Sequence, residues 1–338
     1  MLFGRSGLDT PPKTIGDLLG DGLVARLDRL DVLSRKVFSG KMPGERRSKK
    51  RGQSVEFDDY RQYVPGDDLR RIDWNVFARH DKFVLKLFKE DEDLGVHILL
   101  DDSPSMHAGE PPKRIAAHRL AASLGYIGLV NQNRVTISLL RQEEGTPTLL
   151  RPSSMRGRSS VQRLSAFVLG SLNGTLAESG ISANELTLRP PTEPLSAGLI
   201  AFAKHLGIGG VVFVISDLLE PVWLDPESRR TPLNALVAGG KADPVCLQVL
   251  SPSELDPTLD VTRGLTGDLR LTDAETGVGV EATVNATVLR AVRERIDGYI
   301  EGVGRDCAAR AILHRVVPSD ADIAELIFGG MRRRGVLG

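Results

Sequence analysis

The chain has 338 residues, of which 41% are apolar, so it is long enough for one large domain or two small ones with a sizeable core. Its 44 Lys and Arg residues equal its 44 Asp and Glu residues, and this balance excludes a strong overall field for nucleic acid or a membrane surface. Cys246 and Cys307 lack CxxC spacing, and no window approaches the ~20 apolar residues of a membrane helix. These features argue against a disulfide scaffold, a zinc site and a membrane span, and we expect a cytoplasmic protein.

The N-terminal part contains one amphipathic pattern and one basic segment. Apolar residues at helical spacing over 14–39 predict a helix that is broken near Gly20 or Gly22. The next stretch, GKMPGERRSKKRGQ, is rich in glycine and cations and predicts an exposed loop. Its basic cluster, from Arg46 to Arg51, is typical of a solvated segment, and contact with nucleic-acid phosphates is the alternative.

Strand and helix patterns alternate through the centre of the chain. Strands are predicted over 82–91, 94–102, 134–140, 146–152, 209–221 and 243–250. Helices are predicted over 113–130, 159–172 and 192–206. The runs at 94–102, 209–221 and 243–250 are almost continuously apolar, which is typical of central strands covered on both faces. The alternation predicts an α/β fold with a doubly wound, mostly parallel sheet.

The C-terminal part adds a hairpin and a last helix–strand–helix unit. Two strands around a turn are predicted over 267–284, then a helix over 286–304, a strand over 309–317 and a helix over 319–330 with Ser319 as its N-cap. We predict two domains. An N-terminal extension covers 1–90, and the α/β domain covers 91–330 with the hairpin inserted at about 252–290.

Polar oxygens follow two of the apolar strands. In LLDDSPSM, Asp101, Ser103 and Ser105 come at period two, and the strand over 209–221 contains Ser216 and Asp217 after its apolar run. Ligands gather at the carboxyl ends of strands in open α/β sheets, so Asp101 and Asp217 would meet at one edge if their strands are neighbours. Two carboxylates and two hydroxyls suit a hard cation such as Mg²⁺, whereas simple helix capping is the alternative.

Two motifs resemble known families. DDSPSM resembles the D-x-S-x-S signature of the metal-ion-dependent adhesion site of von Willebrand factor A domains. The stretch over 56–93 resembles the signature of a bacterial family of unknown biochemical function, which carries a von Willebrand A-like domain and is associated with MoxR-type AAA+ ATPases. The positions that match this second signature are Arg61, Tyr63, Pro65, Gly66, Asp67, Asp68, Arg70, Ile72, Asp73, Trp74, Ala78 and Arg79.

The resemblance implies a ligand set and a role. Asp101, Ser103, Ser105 and Asp217 would bind Mg²⁺, or else Mn²⁺ or Ca²⁺, and a further ligand would come from Thr192, with Ser196 as its substitute. The open metal position would take a carboxylate from a client protein. The chain would then be a cytoplasmic, non-enzymatic adaptor that works with a MoxR-type AAA+ ATPase in the assembly or maturation of clients.

Two other functions remain open on the sequence. A metal-dependent hydrolase could use the same oxygens, with Asp102 or His107 as its base. A nucleic-acid binder would use the basic cluster, although the charge balance argues against it. The 61–79 block is interpreted as an ion-pair network, or alternatively as a partner surface, and we expect Trp74 to be a buried anchor. No phosphate-binding glycine motif is present, so we expect no ATP site.

Overall fold

The structure is a computed structural model. It describes residues 11–34, 57–64, 69, 72–88, 94–143, 146–189, 193–206, 209–240, 242–259, 266–272, 278–333 and 335–338. These residues form two compact units, of which the larger contains 11–34 and the described residues from 94 onwards, and the smaller contains those within 57–88. No helix in these ranges is long and apolar enough to cross a bilayer.

An eight-stranded sheet forms the centre of the larger unit. Its strands are β3 (Gly95–Asp102), β4 (Arg134–Glu143), β5 (Thr146–Pro152), β6 (Met155–Arg156), β7 (Ala183–Thr187), β8 (Gly210–Ser216), β9 (Ala242–Leu250) and β12 (Leu313–Pro318). The order is β12-β9-β8-β3-β4-β5-β7, and β6 pairs with β4. Strands β12, β9, β8, β3 and β4 are parallel, whereas β5, β6 and β7 run antiparallel to their neighbours. The predicted α/β class with a doubly wound, mostly parallel sheet is confirmed.

Helices cover both faces of this sheet. They are α1 (Ile15–Leu19), α2 (Asp21–Leu27), α4 (Lys113–Val130), α5 (Val161–Asn173), α6 (Pro194–Lys204), α7 (Pro226–Val237), α8 (Pro252–Leu255), α9 (Ala286–Ala308) and α10 (Ile323–Glu325), and a π-helical turn follows at Leu326–Met331. Alternate residues of β8 belong to two separate cores, with Phe213 in the core under α4 and α5 and Val214 in the core under α6 and α7. The continuous apolar runs therefore mark strands buried on both faces.

The start of β3 lies against the start of β8. Gly95 pairs with Gly210, and a Cβ atom at Gly210 would lie 1.9 Å from the carbonyl oxygen of Gly95. A side chain there would force the strands apart, because this space is filled by backbone. The glycine pair thus permits the parallel register that continues to Leu100 and Ile215 at the carboxyl ends of the two strands.

The N-terminal helices belong to the larger unit and are shorter than predicted. The chain breaks at Gly20, which has a φ of +83°, as the sequence indicated, but helix α2 ends at Leu27. Val32 then forms a β-bridge with Leu337, so the prediction of a helix through this position was wrong; residues 35–39 lie outside the described part. The apolar spacing continues past Leu27 because Leu30 and Val32 also face the core, although their backbone is not helical.

Three other local expectations need correction or addition. The last helix is capped by Asp322, whose carboxylate accepts from the N–H groups of Ala324 and Glu325, whereas Ser319 donates to the carbonyl oxygen of Pro111. Strand β7 and helix α7 were not predicted from the sequence. The hairpin is confirmed as β10 (Gly267–Thr272) and β11 (Gly279–Val284).

The smaller unit contains β1 (Phe57–Gln62), α3 (Trp74–His80) and β2 (Val84–Phe88). Strands β1 and β2 pair antiparallel, and the Asp73 carboxylate caps α3 by accepting from the N–H groups of Asn75 and Val76. The Tyr60 hydroxyl donates to the same carboxylate at 3.1 Å. Trp74 is 58% exposed, so the expectation of a buried anchor was wrong. It lies on the outer side of α3 and packs edge-on against Phe77.

Candidate functional site

Strands β3 and β8 bring two carboxylates to one edge of the sheet. The strands are parallel neighbours, and Leu100 pairs with Ile215 at their carboxyl ends. Asp101 directly follows Leu100, and Asp217 follows Ile215 after one intervening residue. Asp101 is 2% exposed and Asp217 is 3% exposed. The Ser216 hydroxyl donates to Oδ2 of Asp101 at 2.6 Å, which ties the two strand ends together. The two strands are therefore neighbours, which is the condition under which the sequence places both carboxylates at one edge. We call this edge, with Asp101, Asp217 and the loop after β3, the rim.

Burial and like charge act together on Asp101. Removal of the carboxylate from water, followed by repulsion from Asp217, raises the pKa of Asp101 to about 7. The hydrogen bonds from Ser216 and from the N–H of Ser103 lower it, but they do not offset the burial. Asp101 is thus a carboxylate whose charge is poorly compensated by its surroundings, and an added cation would stabilise the ionised form.

The loop after β3 places two hydroxyls beside this carboxylate. Oδ1 of Asp101 accepts from the N–H of Ser103 at 3.0 Å, and this bond folds the loop back over the strand end. The chain then makes a 3-10 turn at Pro104–His107. The hydroxyl oxygens of Ser103 and Ser105 are 3.2 Å apart. The turn therefore brings both hydroxyls to the same side of the loop.

A buried lysine, which the sequence reasoning missed, completes the rim. Lys113 is the first residue of α4, and its side chain is 1% exposed. Its Nζ donates to Oδ2 of Asp217 at 2.8 Å and to Oε1 of Glu254 at 2.5 Å. Burial opposes the ammonium, but the two carboxylates outweigh it, and the pKa of Lys113 is raised. A lysine at the start of a helix is typical of an exposed position. No signal in the sequence links Lys113 to Asp217 and Glu254, which are 104 and 141 positions away.

The two candidates for a loop ligand have different outcomes. Thr192 lies outside the described residues. The Ser196 hydroxyl donates to Oε2 of Glu220 and accepts from Nε1 of Trp223, the latter at 2.8 Å. Glu220 also accepts from the N–H groups of Leu195 and Ser196 and so caps α6. Ser196 thus takes part in anchoring α6, and its hydroxyl is committed to that network.

The candidate bases of a hydrolase are held in ion pairs or exposed. Arg114 contacts Asp102 through two N–H groups, each at 3.0 Å, which is the bidentate geometry of a strong pair. Burial raises the pKa of Asp102, but the hydrogen bond from His107 and the charges of nearby cations lower it by more. The pKa of Asp102 therefore lies below its ordinary value. His107 lies 3.5 Å from Asp102 with 51% of its side chain exposed. A carboxylate with a lowered pKa is a weak general base.

The polar network around Asp102 continues into the helices on that face. The Ser171 hydroxyl lies 3.0 Å from Nε2 of His118, and Nδ1 of His118 lies 2.7 Å from the carbonyl oxygen of Arg114. Burial lowers the pKa of His118 to about 4, so the ring is neutral near pH 7. With a carbonyl at Nδ1, that nitrogen donates and Nε2 accepts from Ser171. This network joins α4 and α5 behind the rim.

The donor chemistry of the rim fits a hard divalent cation. Two carboxylates and two hydroxyls supply oxygen ligands, which Mg²⁺, Mn²⁺ and Ca²⁺ prefer. Within the described ranges, no group of three or more His, Cys, Asp and Glu side chains has the arrangement of a metal site, so the hydroxyls of Ser103 and Ser105 would have to contribute. The Lys113 ammonium opposes a second cation, because it already contacts Asp217.

The fold and the rim define an open α/β protein with a polar site at the carboxyl ends of its central parallel strands. Residues 59–299 match the family model described as "Protein of unknown function DUF58", and the chain belongs to this family. Among curated proteins it is similar to uncharacterized proteins of Mycobacterium bovis and Mycobacterium tuberculosis. Each is 25% identical over 338 residues, which covers 97% of this chain and 95% of the relative.

Proposed function

We propose that the chain is a non-enzymatic adaptor whose rim binds a divalent cation, Mg²⁺ in the first place and Mn²⁺ or Ca²⁺ as alternatives. Asp101, Asp217, Ser103 and Ser105 would hold the ion, and Thr192 would be a further ligand. One observation carries the proposal: neighbouring parallel strands bring the buried carboxylates of Asp101 and Asp217 to one edge, where the hydroxyls of Ser103 and Ser105 lie 3.2 Å apart. Burial and the nearby Asp217 raise the pKa of Asp101 to about 7, which agrees with a poorly compensated charge. Such a site stores an electrostatic penalty that a cation relieves.

The ion would supply an open coordination position for a carboxylate oxygen of a partner. The residues of this chain position that site: Ser216 and the N–H of Ser103 orient Asp101, and the N–H of Leu219 orients Asp217 at 3.1 Å. A partner Glu or Asp bound there would complete the coordination of the ion. An interface built on one such directional contact needs only a modest area around it.

The proposed partners are a MoxR-type AAA+ ATPase and a client protein that presents the carboxylate, in the cytoplasm. The resemblance of the 56–93 stretch supports this pairing. The charge balance of the chain supports a protein partner over nucleic acid, and the basic cluster from Arg46 to Arg51 lies outside the described residues. The ion pair between Arg114 and Asp102 argues against the hydrolase, because it leaves Asp102 poorly suited to accept a proton.

The experiment is a binding assay between the purified chain and a purified MoxR-type AAA+ ATPase of the same organism, with Mg²⁺ and with chelator. We expect binding to require Mg²⁺ and to be lost in the double variant Ser103→Ala/Ser105→Ala. The matched control is Ser154→Ala/Ser182→Ala, which removes two exposed hydroxyls outside the rim. Added Mg²⁺ should restore binding of the chelated wild type and not of the rim variant. Binding that ignores both chelator and rim variant would refute the proposal.

A further inference from the structure

Protein groups donate a hydrogen bond to each carboxylate oxygen of Asp101 and Asp217. Both oxygens of Asp101 accept hydrogen bonds, from Ser103 and Ser216. Both oxygens of Asp217 also accept, Oδ1 from the N–H of Leu219 and Oδ2 from the Lys113 ammonium. The ammonium compensates the negative charge of Asp217, one of the two carboxylates, as a bound metal cation would. Only Asp101 is left without a cationic partner among these groups.

The lysine has a second anchor besides Asp217. Oε1 of Glu254 accepts from Lys113, while Oε2 of Glu254 accepts from the N–H of Ser251 at 2.7 Å and from its hydroxyl at 3.0 Å. This capping box fixes the Glu254 side chain at the start of α8. A buried ammonium that has lost one carboxylate partner is costly, but Lys113 would keep Glu254 when Asp217 turns to another cation.

The charges of the four groups show what the lysine does to metal binding. Asp101, Asp217 and Glu254 are acidic and Lys113 is basic, so the ionised cluster has two more negative than positive charges. A divalent cation would neutralise this excess. It would also lie beside the ammonium on the same carboxylate, and like charges at such a separation repel strongly in a buried site. Lys113 therefore opposes the ion more than any other group at the rim.

We propose that Lys113 is a built-in competitor of the divalent cation: it occupies Asp217 when the rim is empty, and Glu254 retains it when a metal ion binds. The inference rests on the proposed metal-binding function and adds its regulation. Its consequence is weak binding of the metal alone, so that the rim fills when a partner carboxylate arrives with its extra negative charge. The metal ion is then bound when the partner is bound, and it is not a permanent structural ion.

The test uses the full chain and Mn²⁺ as the probe, with bound metal counted by electron paramagnetic resonance. Lys113→Met removes the ammonium and keeps the length of the side chain, and it should bind Mn²⁺ about tenfold tighter than the wild type or more. Glu254→Gln removes the negative charge beside Lys113, so Asp217 becomes the one carboxylate of the pair that holds the ammonium, and Mn²⁺ binding should weaken severalfold. Lys204→Met, at an exposed lysine that ends α6, is the control and should leave the affinity unchanged.

The outcomes separate this inference from the proposed function. A folded Lys113→Met chain that binds Mn²⁺ no tighter than a wild type that does bind it overturns the inference and leaves the metal site standing. Binding of Mn²⁺ by the variant alone supports the competition, because a wild-type rim that Lys113 keeps empty fills only with a partner; the partner-binding assay with Mg²⁺ and with chelator then decides the proposed function. No binding by any variant refutes both. If Lys113→Met does not fold by circular dichroism, Glu254→Gln decides: unchanged or tighter binding overturns the inference.

Discussion

Substitution of Asp101 by Asn should have opposite effects on the stability of the metal-free chain and on its response to Mg²⁺. The Asn side chain has the shape of a protonated carboxyl group, and its Oδ1 can still accept from the N–H of Ser103. It carries no charge, so the penalty that burial and Asp217 impose on the ionised carboxylate disappears. We therefore expect the variant to be more stable than the wild type in chelator at about pH 8, where Asp101 is ionised.

The magnitude follows from the raised pKa. The folded chain holds the proton on Asp101 up to about pH 7, whereas the unfolded chain releases it near the ordinary value of 3.8. The free energy of unfolding of the wild type should thus fall as the pH rises from about 4 to about 7 and then level off, by at most ~4 kcal/mol in total. The Nδ2 group of Asn, which replaces Oδ2, cannot accept from the Ser216 hydroxyl, and the lost bond costs about 1 kcal/mol, so we expect a net gain of up to about 3 kcal/mol.

The assay is urea unfolding followed by circular dichroism, in chelator and in saturating Mg²⁺, across this pH range. Mg²⁺ should raise the free energy of unfolding of the wild type and leave that of the Asn variant unchanged. Asp225→Asn is the control: this exposed carboxylate caps α7, so the substitution should not stabilise. A variant that is less stable than the wild type at about pH 8 in chelator would refute the reasoning and leave Asp101 as a structural cap.

Three further outcomes are expected. Trp74→Ala should cost less than about 1 kcal/mol in thermal unfolding because the ring is more than half exposed, and a loss above ~3 kcal/mol would show that it is buried in solution. Ser103→Ala/Ser105→Ala should keep the circular dichroism of the wild type yet show no heat of Mg²⁺ binding in calorimetry, whereas wild-type heats would exclude these hydroxyls as ligands. Arg114→Met should lower the free energy of unfolding by about 3–5 kcal/mol in urea, because it leaves Asp102 without its bidentate partner; a loss below ~1 kcal/mol would mean that the pair contributes little.

The central strands could be predicted because their sequence pattern has a direct physical cause. β3, β8 and β9 are buried on both faces, and only near-continuous apolar runs satisfy that requirement. The same runs located the rim, since the first polar residue after each strand marks its carboxyl end. Helix α4 was predicted with its bounds, Lys113–Val130, for a similar reason: it is bounded by turn residues and fills one core.

The errors fall where tertiary contacts override a local pattern. Strand β7 has mostly exposed side chains, and only its backbone pairing with β5 makes it a strand, so periodicity could not reveal it. Trp74 was expected to be buried from residue type alone, although its position on α3 leaves the ring exposed. The partners of Lys113 are more than a hundred residues away in sequence, and such pairs are visible only in the folded chain.

The bridge between Val32 and Leu337 has a consequence for the order of folding. Asp31 and Gly338 exchange two backbone hydrogen bonds, of 3.2 and 2.8 Å, across about 300 residues of intervening chain. A contact of this separation closes a very large loop, so it should form after the sheet has brought both ends close together. On the ribosome it cannot form until residues 336–338 have emerged. The segment that carries α1 and α2 is therefore synthesised well before this contact can form, and before then side-chain packing and hydrogen bonds such as that from Arg119 to the Leu18 carbonyl can hold it in place.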